Sequence, residues 1–222
     1  MTACARVGVI DYGMGNRRSV QKAIERAGAR AVVTADHREL DACDCLVLPG
    51  VGAFPLAMRR LRERGLDQLI RTGVSRGVAL LGICLGMQLL FEHSEELEPS
   101  DGLGVLQGEV RRLRTGGLRL PHIGWSEVTF EQPSQLTRGL AAEGCPFYHV
   151  HSLTVHPADP HDVLGTAEYG ERFPAIVGRG RVFGVQFHPE KSSIHGLQML
   201  GAFVEMCSSQ HSDGPARAAA RV

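Results

Sequence analysis

The sequence places a cysteine between glycines where a strand should turn into a helix. An apolar run, Val78-Ala-Leu-Leu-Gly-Ile83, leads into Gly82-Ile-Cys84-Leu-Gly86-Met-Gln88. A Gly-x-nucleophile-x-Gly frame at such a turn is an elbow: the nucleophile sits on a tight backbone, and the glycines let neighbouring chain pass close. There a thiol lies near the positive end of the following helix, which favours thiolate. The Leu85 amide is left free to face a developing oxyanion. A lone cysteine is more often a small core residue. The complete frame favours the nucleophile.

A nucleophilic thiol needs a base and a group that orients the base. Val185-Gln-Phe-His188-Pro-Glu190 ends another apolar run. On extended chain, positions two apart point to one side, so Glu190 can hold one imidazole nitrogen while the other faces the thiol. Pro189 disfavours helix at His188 and keeps it extended. Taken alone, a His-x-Glu pair is more often a capped turn with a surface His-Glu pair.

The surrounding elements must bring these two segments together. Arg6–Ile10 reads as a strand, Asp11–Asn16 as a glycine-bearing turn, and Ser19–Ala27 as a helix with Val20, Ala23, Ile24 and Ala27 on one stripe. Strands are expected at Arg30–Thr34, Cys45–Leu48 and Val78–Ile83, with one helical segment over Pro55–Arg76. This alternation predicts an α/β sheet with helices on both sides. The second half changes character. Val105–Leu113, Trp125–Phe130, Phe147–Val150, Ala175–Arg179 and Val182–Phe187 are strand-like with few helices between, which predicts antiparallel or mixed pairing. A last helix covers Ser193–Met206. The expected architecture is a three-layer sandwich: a central, mostly parallel sheet flanked by helices, with a smaller antiparallel or mixed flank. One domain spans 1–207, and 208–222 reads as a disordered tail.

Composition excludes several classes. The 222 residues carry 24 basic and 24 acidic side chains, against the basic excess of a dedicated nucleic-acid binder. No apolar run reaches a membrane-spanning length. The N-terminus lacks a secretory layout, so a cytoplasmic protein with reduced thiols is expected from its six cysteines. Arg59, Arg60, Arg62 and Arg64 interleave with Glu63 and Asp67 as a solvated helix face. Asp11–Asn16 lacks the pattern of a nucleotide loop. His149 and His151 share a strand face, but no third ligand stands at convincing spacing, so no metal and no cofactor is expected.

Taken together, Gly82–Gln88 and His188-Pro-Glu190 resemble the class I, triad-bearing glutamine amidotransferases. Pro49-Gly-Val-Gly-Ala-Phe54, Pro121-His-Ile-Gly-Trp125, Tyr148-His-Val-His-Ser152 and Gly184–Ser192 extend the likeness across residues 11–192. They point to those glutaminase subunits that serve a separate cyclase. The resemblance implies the class I glutamine amidotransferase fold, L-glutamine as substrate, and a Cys84–His188–Glu190 triad working through a γ-glutamyl thioester. It implies an oxyanion hole from Leu85 and the Val51–Gly52 segment, completed when the partner holds its acceptor. Glutamine contacts fall to Gly50, Gln88, His151, Ser152 and Leu153. The partner is a TIM-barrel cyclase in a heterodimer, docked near Asp11, Asn16, Trp125, Tyr148 and Lys191. The chain departs from the family at His149, where an aromatic is common, and at Leu153, where tyrosine is. An amidotransferase subunit of another synthase and a catalytically silent docking subunit stay open as rival readings.

Overall fold

The structure, a computed structural model, describes residues 4–208. Its first half runs β1 (Arg6–Ile10), α1 (Arg17–Arg26), β2 (Arg30–Thr34), α2 (His37–Asp41), β3 (Cys45–Gly50), α3 (Phe54–Glu63), α4 (Leu66–Ser75), β4 (Ala79–Cys84) and α5 (Leu85–Gln88). Its second half runs β5 (His93–Ser94), β6 (Ser100–Asp101), β7 (Gly108–Arg112), β8 (His122–Phe130), β9 (Cys145–His151), β10 (Leu153–Pro157), β11 (Val163–Tyr169), β12 (Glu171–Arg179), β13 (Val182–Val185) and α6 (Ser193–Ser208).

Side-chain alternation along the strands divides the core into two layers. Val7, Val9, Val47, Leu81 and Ile83 pack with Val20 and Ile24 of α1 and with Met199, Leu200 and Phe203 of α6. Ile10, Leu46, Leu48 and Leu80 face the other way, onto Leu40 of α2, Met58 and Leu61 of α3, and Leu66 and Ile70 of α4. Each such side chain contributes about 1.5–3 kcal/mol on burial, so neither layer is dispensable. The helix expected over Pro55–Arg76 is two helices. Gly65 takes φ 64°, a left-handed conformation that ends α3 and starts α4.

One nine-stranded sheet, ordered β2-β1-β3-β4-β13-β12-β11-β8-β9, holds both halves of the described chain. Pairing is parallel from β2 to β13 and antiparallel from β13 to β9. Beside it lies a four-stranded sheet, β10-β7-β5-β6. In register, Gly50 stands opposite Cys84, and Ile83 opposite Val185. The carboxyl ends of three adjacent parallel strands therefore meet, the usual place for a site in such a sheet.

One cysteine expectation is overturned. Cys45, at the start of β3, is disulfide-bonded to Cys207, near the end of α6. The two are 162 residues apart and meet because α6 packs back on the parallel strands, a contact that sequence spacing cannot reveal. Cys4, Cys43, Cys84 and Cys145 are free. Helix α6 includes Ser208; the rest of the tail expected from 208 onward lies outside the described residues.

Candidate active site

The strand β4 ends on Cys84, whose backbone sits at φ 55°, ψ −111°, one of the few non-glycine residues with positive φ. Such a conformation is strained and persists because its surroundings enforce it. Those surroundings admit no side chain on either flank. A Cβ on Gly82 would lie 2.6 Å from the Gly86 carbonyl oxygen, and one on Gly86 would lie 1.8 Å from that of Leu48. The glycines two residues either side of the thiol are thus required by close approach.

His188 follows β13 in extended conformation (φ −103°, ψ 94°), and Pro189 opens a short 3-10 turn that carries Glu190. The His188 Nδ1 donates to Glu190 Oε1 at 2.9 Å, and the ring also hydrogen-bonds Cys84. Both side chains are sealed from solvent, 3% and 1% exposed. Burial by itself disfavours the imidazolium. Hydrogen bonds and charge from Cys84 and Glu190 outweigh it and raise His188 to about 9. The backbone is pinned as well: His188 N donates to the Tyr148 carbonyl at 2.9 Å, and Ser192 Oγ donates to the His188 carbonyl at 2.7 Å.

Cys84, Leu85, Gln88, Val51, Gly52, His151, Ser152, Leu153, His188 and Lys191 line one cavity of ≈ 260 Å³, together with Glu96, Pro121 and Val150. Gly50 lies opposite Cys84 behind its wall, and Glu190 lies behind His188. Asp11, Asn16, Trp125 and Tyr148 do not line it. Larger hollows of ≈ 480 and ≈ 610 Å³ contain no cysteine–histidine pair.

Three residues matter that sequence reasoning left without a role. Gln186, fully buried, donates from Nε2 to Cys84 Sγ at 3.8 Å and accepts from Gln88 Nε2 at 3.1 Å. A polar residue within an apolar strand end was its signal. Tyr12, also fully buried, donates its hydroxyl to the Pro49 carbonyl at 2.8 Å and so holds the chain entering Gly50–Gly52. Burial, reinforced by the nearby Cys84 charge, pushes the Tyr12 hydroxyl well up. Its neighbour Met14 reaches the same segment, with Cε 2.8 Å from where a Cβ on Gly52 would stand. The turn bearing Asp11 and Asn16 therefore abuts the Val51–Gly52 segment.

The third is His122. Antiparallel register sets His122 of β8 opposite His151 of β9, and Gly124 opposite His149. The imidazole that spacing did not reveal thus joins the other two in a buried cluster. Burial lowers all three: His122 below its usual value, His149 well below it, and His151 to about 4.

On the other face of β8 and β9 the residues are outward. Ile123 and Trp125 are 60% and 53% exposed; the Trp125 ring meets Tyr148 edge-on at 6.0 Å. Lys191 Nζ lies 5.9 Å from the Tyr148 ring centroid. Val51 is itself 43% exposed at the cavity rim. Three of the five expected docking residues thus form one apolar-edged patch beside the cavity, while Asp11, ion-paired with Arg17, and Asn16 stand at the head of α1.

A profile described as "Glutamine amidotransferase class-I" matches residues 8–206. The chain is 50% identical over 200 residues to "Imidazole glycerol phosphate synthase subunit HisH" of Moorella thermoacetica, covering 90% of this chain and 94% of that protein. It is 49% identical to the protein of the same name in Geobacillus kaustophilus and 47% identical to that of Bacillus subtilis, each across 92% of this chain and 98% of the relative. Among solved structures, "Crystal structure of glutamine amidotransferase" superposes with a TM-score of 0.71 at 25% identity, over 90% of this chain and 98% of that one. A chain of "Structure of PurLQS from Thermotoga maritima" shares the fold at a TM-score of 0.70 and 21% identity, over 95% of this chain and 100% of that one.

Proposed function

The chain belongs to the class I glutamine amidotransferase family, and we propose that it is the glutaminase subunit of an imidazole glycerol phosphate synthase. It hydrolyses L-glutamine to glutamate and ammonia. It delivers the ammonia to a separate TIM-barrel cyclase subunit, which makes imidazole glycerol phosphate and aminoimidazole carboxamide ribonucleotide in histidine biosynthesis. The observation that carries this reading is the buried Cys84–His188–Glu190 line, with the thiol on a strained turn and the imidazole held between two partners.

The chemistry follows from that line. The Cys84 thiolate attacks the side-chain amide carbon of glutamine, and negative charge develops on the amide oxygen. The Leu85 amide and an amide of Val51 or Gly52 stabilise it. His188, raised to about 9, is protonated at neutral pH and gives its proton to the leaving nitrogen. Ammonia departs and a γ-glutamyl thioester remains on Cys84. His188, now neutral, takes a proton from water; hydroxide adds to the thioester, and the collapsing adduct releases glutamate and restores the thiolate. Glu190 accepts from Nδ1–H throughout, fixing the tautomer and supporting the imidazolium.

Gln88 uses its Nε2 on Leu153 O and Gln186 Oε1, which leaves its amide oxygen as an acceptor suited to the α-ammonium group of glutamine. Ser152 and Leu153 offer backbone groups, so a leucine at 153 serves. Gly50 and His151 complete the wall. No cofactor takes part. Ammonia loses nucleophilicity once protonated, so a closed interface is the reasonable route, and Val51, Trp125, Tyr148 and Lys191 at the cavity rim suit a docking partner. Contact of the Asp11–Asn16 turn with Gly52 gives docking a path to the oxyanion amides. The catalytic unit is one domain over residues 1–207, working in a cytoplasmic heterodimer. No described helix is long and apolar enough to cross a membrane.

The test is glutamate release from glutamine with the cyclase and its ribonucleotide present or omitted. Release that rises when both are added supports the reading. Release equally fast without them contradicts the partner-completed oxyanion hole, and no release in any condition contradicts the glutaminase.

A further inference from the structure

The histidine cluster has a proton problem that its own side chains do not solve. His151 Nδ1 lies 2.8 Å from the Leu153 carbonyl, which can only accept, so Nδ1 carries the hydrogen and Nε2 is a bare lone pair. Two further ring nitrogens converge on that lone pair: His122 Nδ1 at 3.3 Å and His149 Nδ1 at 3.2 Å. A single in-plane lone pair accepts one strong hydrogen bond. One of the two rings therefore faces it with an unplaced N–H or with a second lone pair. The far nitrogen of His149, Nε2, is buried without a hydrogen-bond partner, so no tautomer of His149 satisfies both of its nitrogens. An unsatisfied buried polar group of this kind costs about 1–3 kcal/mol.

We propose that His122 Nδ1, His149 Nδ1 and His151 Nε2 form a binding site for a divalent transition-metal ion of the Zn²⁺ class. Each of the three rings offers a nitrogen within 4.8 Å of one from each of the others. A tetrahedral Zn²⁺ with Zn–N of about 2.0–2.1 Å holds its ligand atoms about 3.3 Å apart, matching the 3.2 and 3.3 Å separations at His151. With an ion between them, all three lone pairs point at charge and the hydrogens move to the far nitrogens. Two of those have waiting acceptors: Leu153 O for His151 Nδ1, and Ser126 Oγ, 3.0 Å from His122 Nε2. Such outer hydrogen bonds are the usual support of a metal-bound imidazole.

The donor set selects the metal. Three neutral nitrogens without a carboxylate suit Zn²⁺, Co²⁺, Ni²⁺ or Cu²⁺ and not Mg²⁺ or Ca²⁺. Burial keeps the rings uncharged near neutral pH, the form that coordinates. Access is from the catalytic cavity, which His151 and Pro121 both line. Three protein ligands leave a fourth tetrahedral position for water or another small donor.

The experiment is a Co²⁺ titration of the full chain, followed by visible absorption, with Zn²⁺ competition to rank affinity. Cys84→Ala is run in parallel because the catalytic thiol and His188 could also capture a metal. One equivalent should bind with tetrahedral ligand-field bands and no sulfur-to-metal charge transfer, and Cys84→Ala should keep it. His149→Phe, which preserves ring shape, should weaken binding by at least about 100-fold. His122→Gln should do the same, and reads the loss independently if His149→Phe does not fold. The proposal is overturned by the absence of stoichiometric binding, by binding that survives both histidine substitutions, or by binding that Cys84→Ala abolishes.

Discussion

His188 and His149 are buried alike, 3% and 0% exposed, and stand within electrostatic reach of each other, yet they titrate in opposite directions. Burial acts against the imidazolium at both. At His188 a carboxylate on one nitrogen and a thiol on the other outweigh it. At His149 the neighbours are other histidines and the rings of Phe173 and Phe187, so burial prevails. The two regions teach that an interior histidine keeps or loses its proton through its partners rather than its depth. The same sheet can therefore hold a charged imidazole and neutral ones beside it.

The largest way to break this contrast is Glu190→Gln, which removes the carboxylate and keeps the shape. The glutaminase rate should fall by about 10²–10⁴-fold. Imidazole NMR should find the His188 titration moved down from about 9, toward its neighbours. Stability carries the same signature. A histidine raised from 6.5 to about 9 adds stability that is whole below pH 6.5 and lost as pH climbs through about 9. Denaturant midpoints should thus separate wild type from Glu190→Gln more below pH 6.5 than above pH 9. An unchanged gap would show that Glu190 does not hold the charge.

A middle-sized effect should come from Trp125→Ala on the outward face of β8. The titrations of His188 and His149 should not move, while affinity for the cyclase drops about 10- to 100-fold in a binding assay. Equal affinity would take Trp125 out of the docking surface. The smallest effect is expected from His122→Gln. Because charge on His122 is a minor cause of the low His151 titration and burial the major one, His151 should rise only slightly and stay below 6.5. A return to 6.5 would mean that charge, not burial, sets the cluster apart.

The elbow and the His-x-Glu pair could be read from sequence because each is local: a glycine frame, and two residues across a proline. Strands β1, β2 and β3 were equally legible from short apolar runs. Helix α2 was not singled out, although Asp36 caps it by accepting from Glu39 N at 3.0 Å. Strand β11 was hidden by its irregular register around Gly165, which breaks the alternation that marks a strand. His122, Gln186 and the Cys45–Cys207 bond were hidden for a deeper reason. Each acts through a neighbour brought close only by strand pairing or helix docking, and single-sequence spacing carries no register between distant segments.

The central claim is that Cys84 is the residue to which glutamine becomes attached. Rapid acid quenching of the chain turning over glutamine with its cyclase partner, followed by intact-mass and peptide mapping, reads this directly. A γ-glutamyl adduct on the peptide containing Cys84 is predicted, together with loss of both adduct and glutamate release in Cys84→Ala. Glutamate release that continues in Cys84→Ala, or an adduct mapped to another residue, would contradict it.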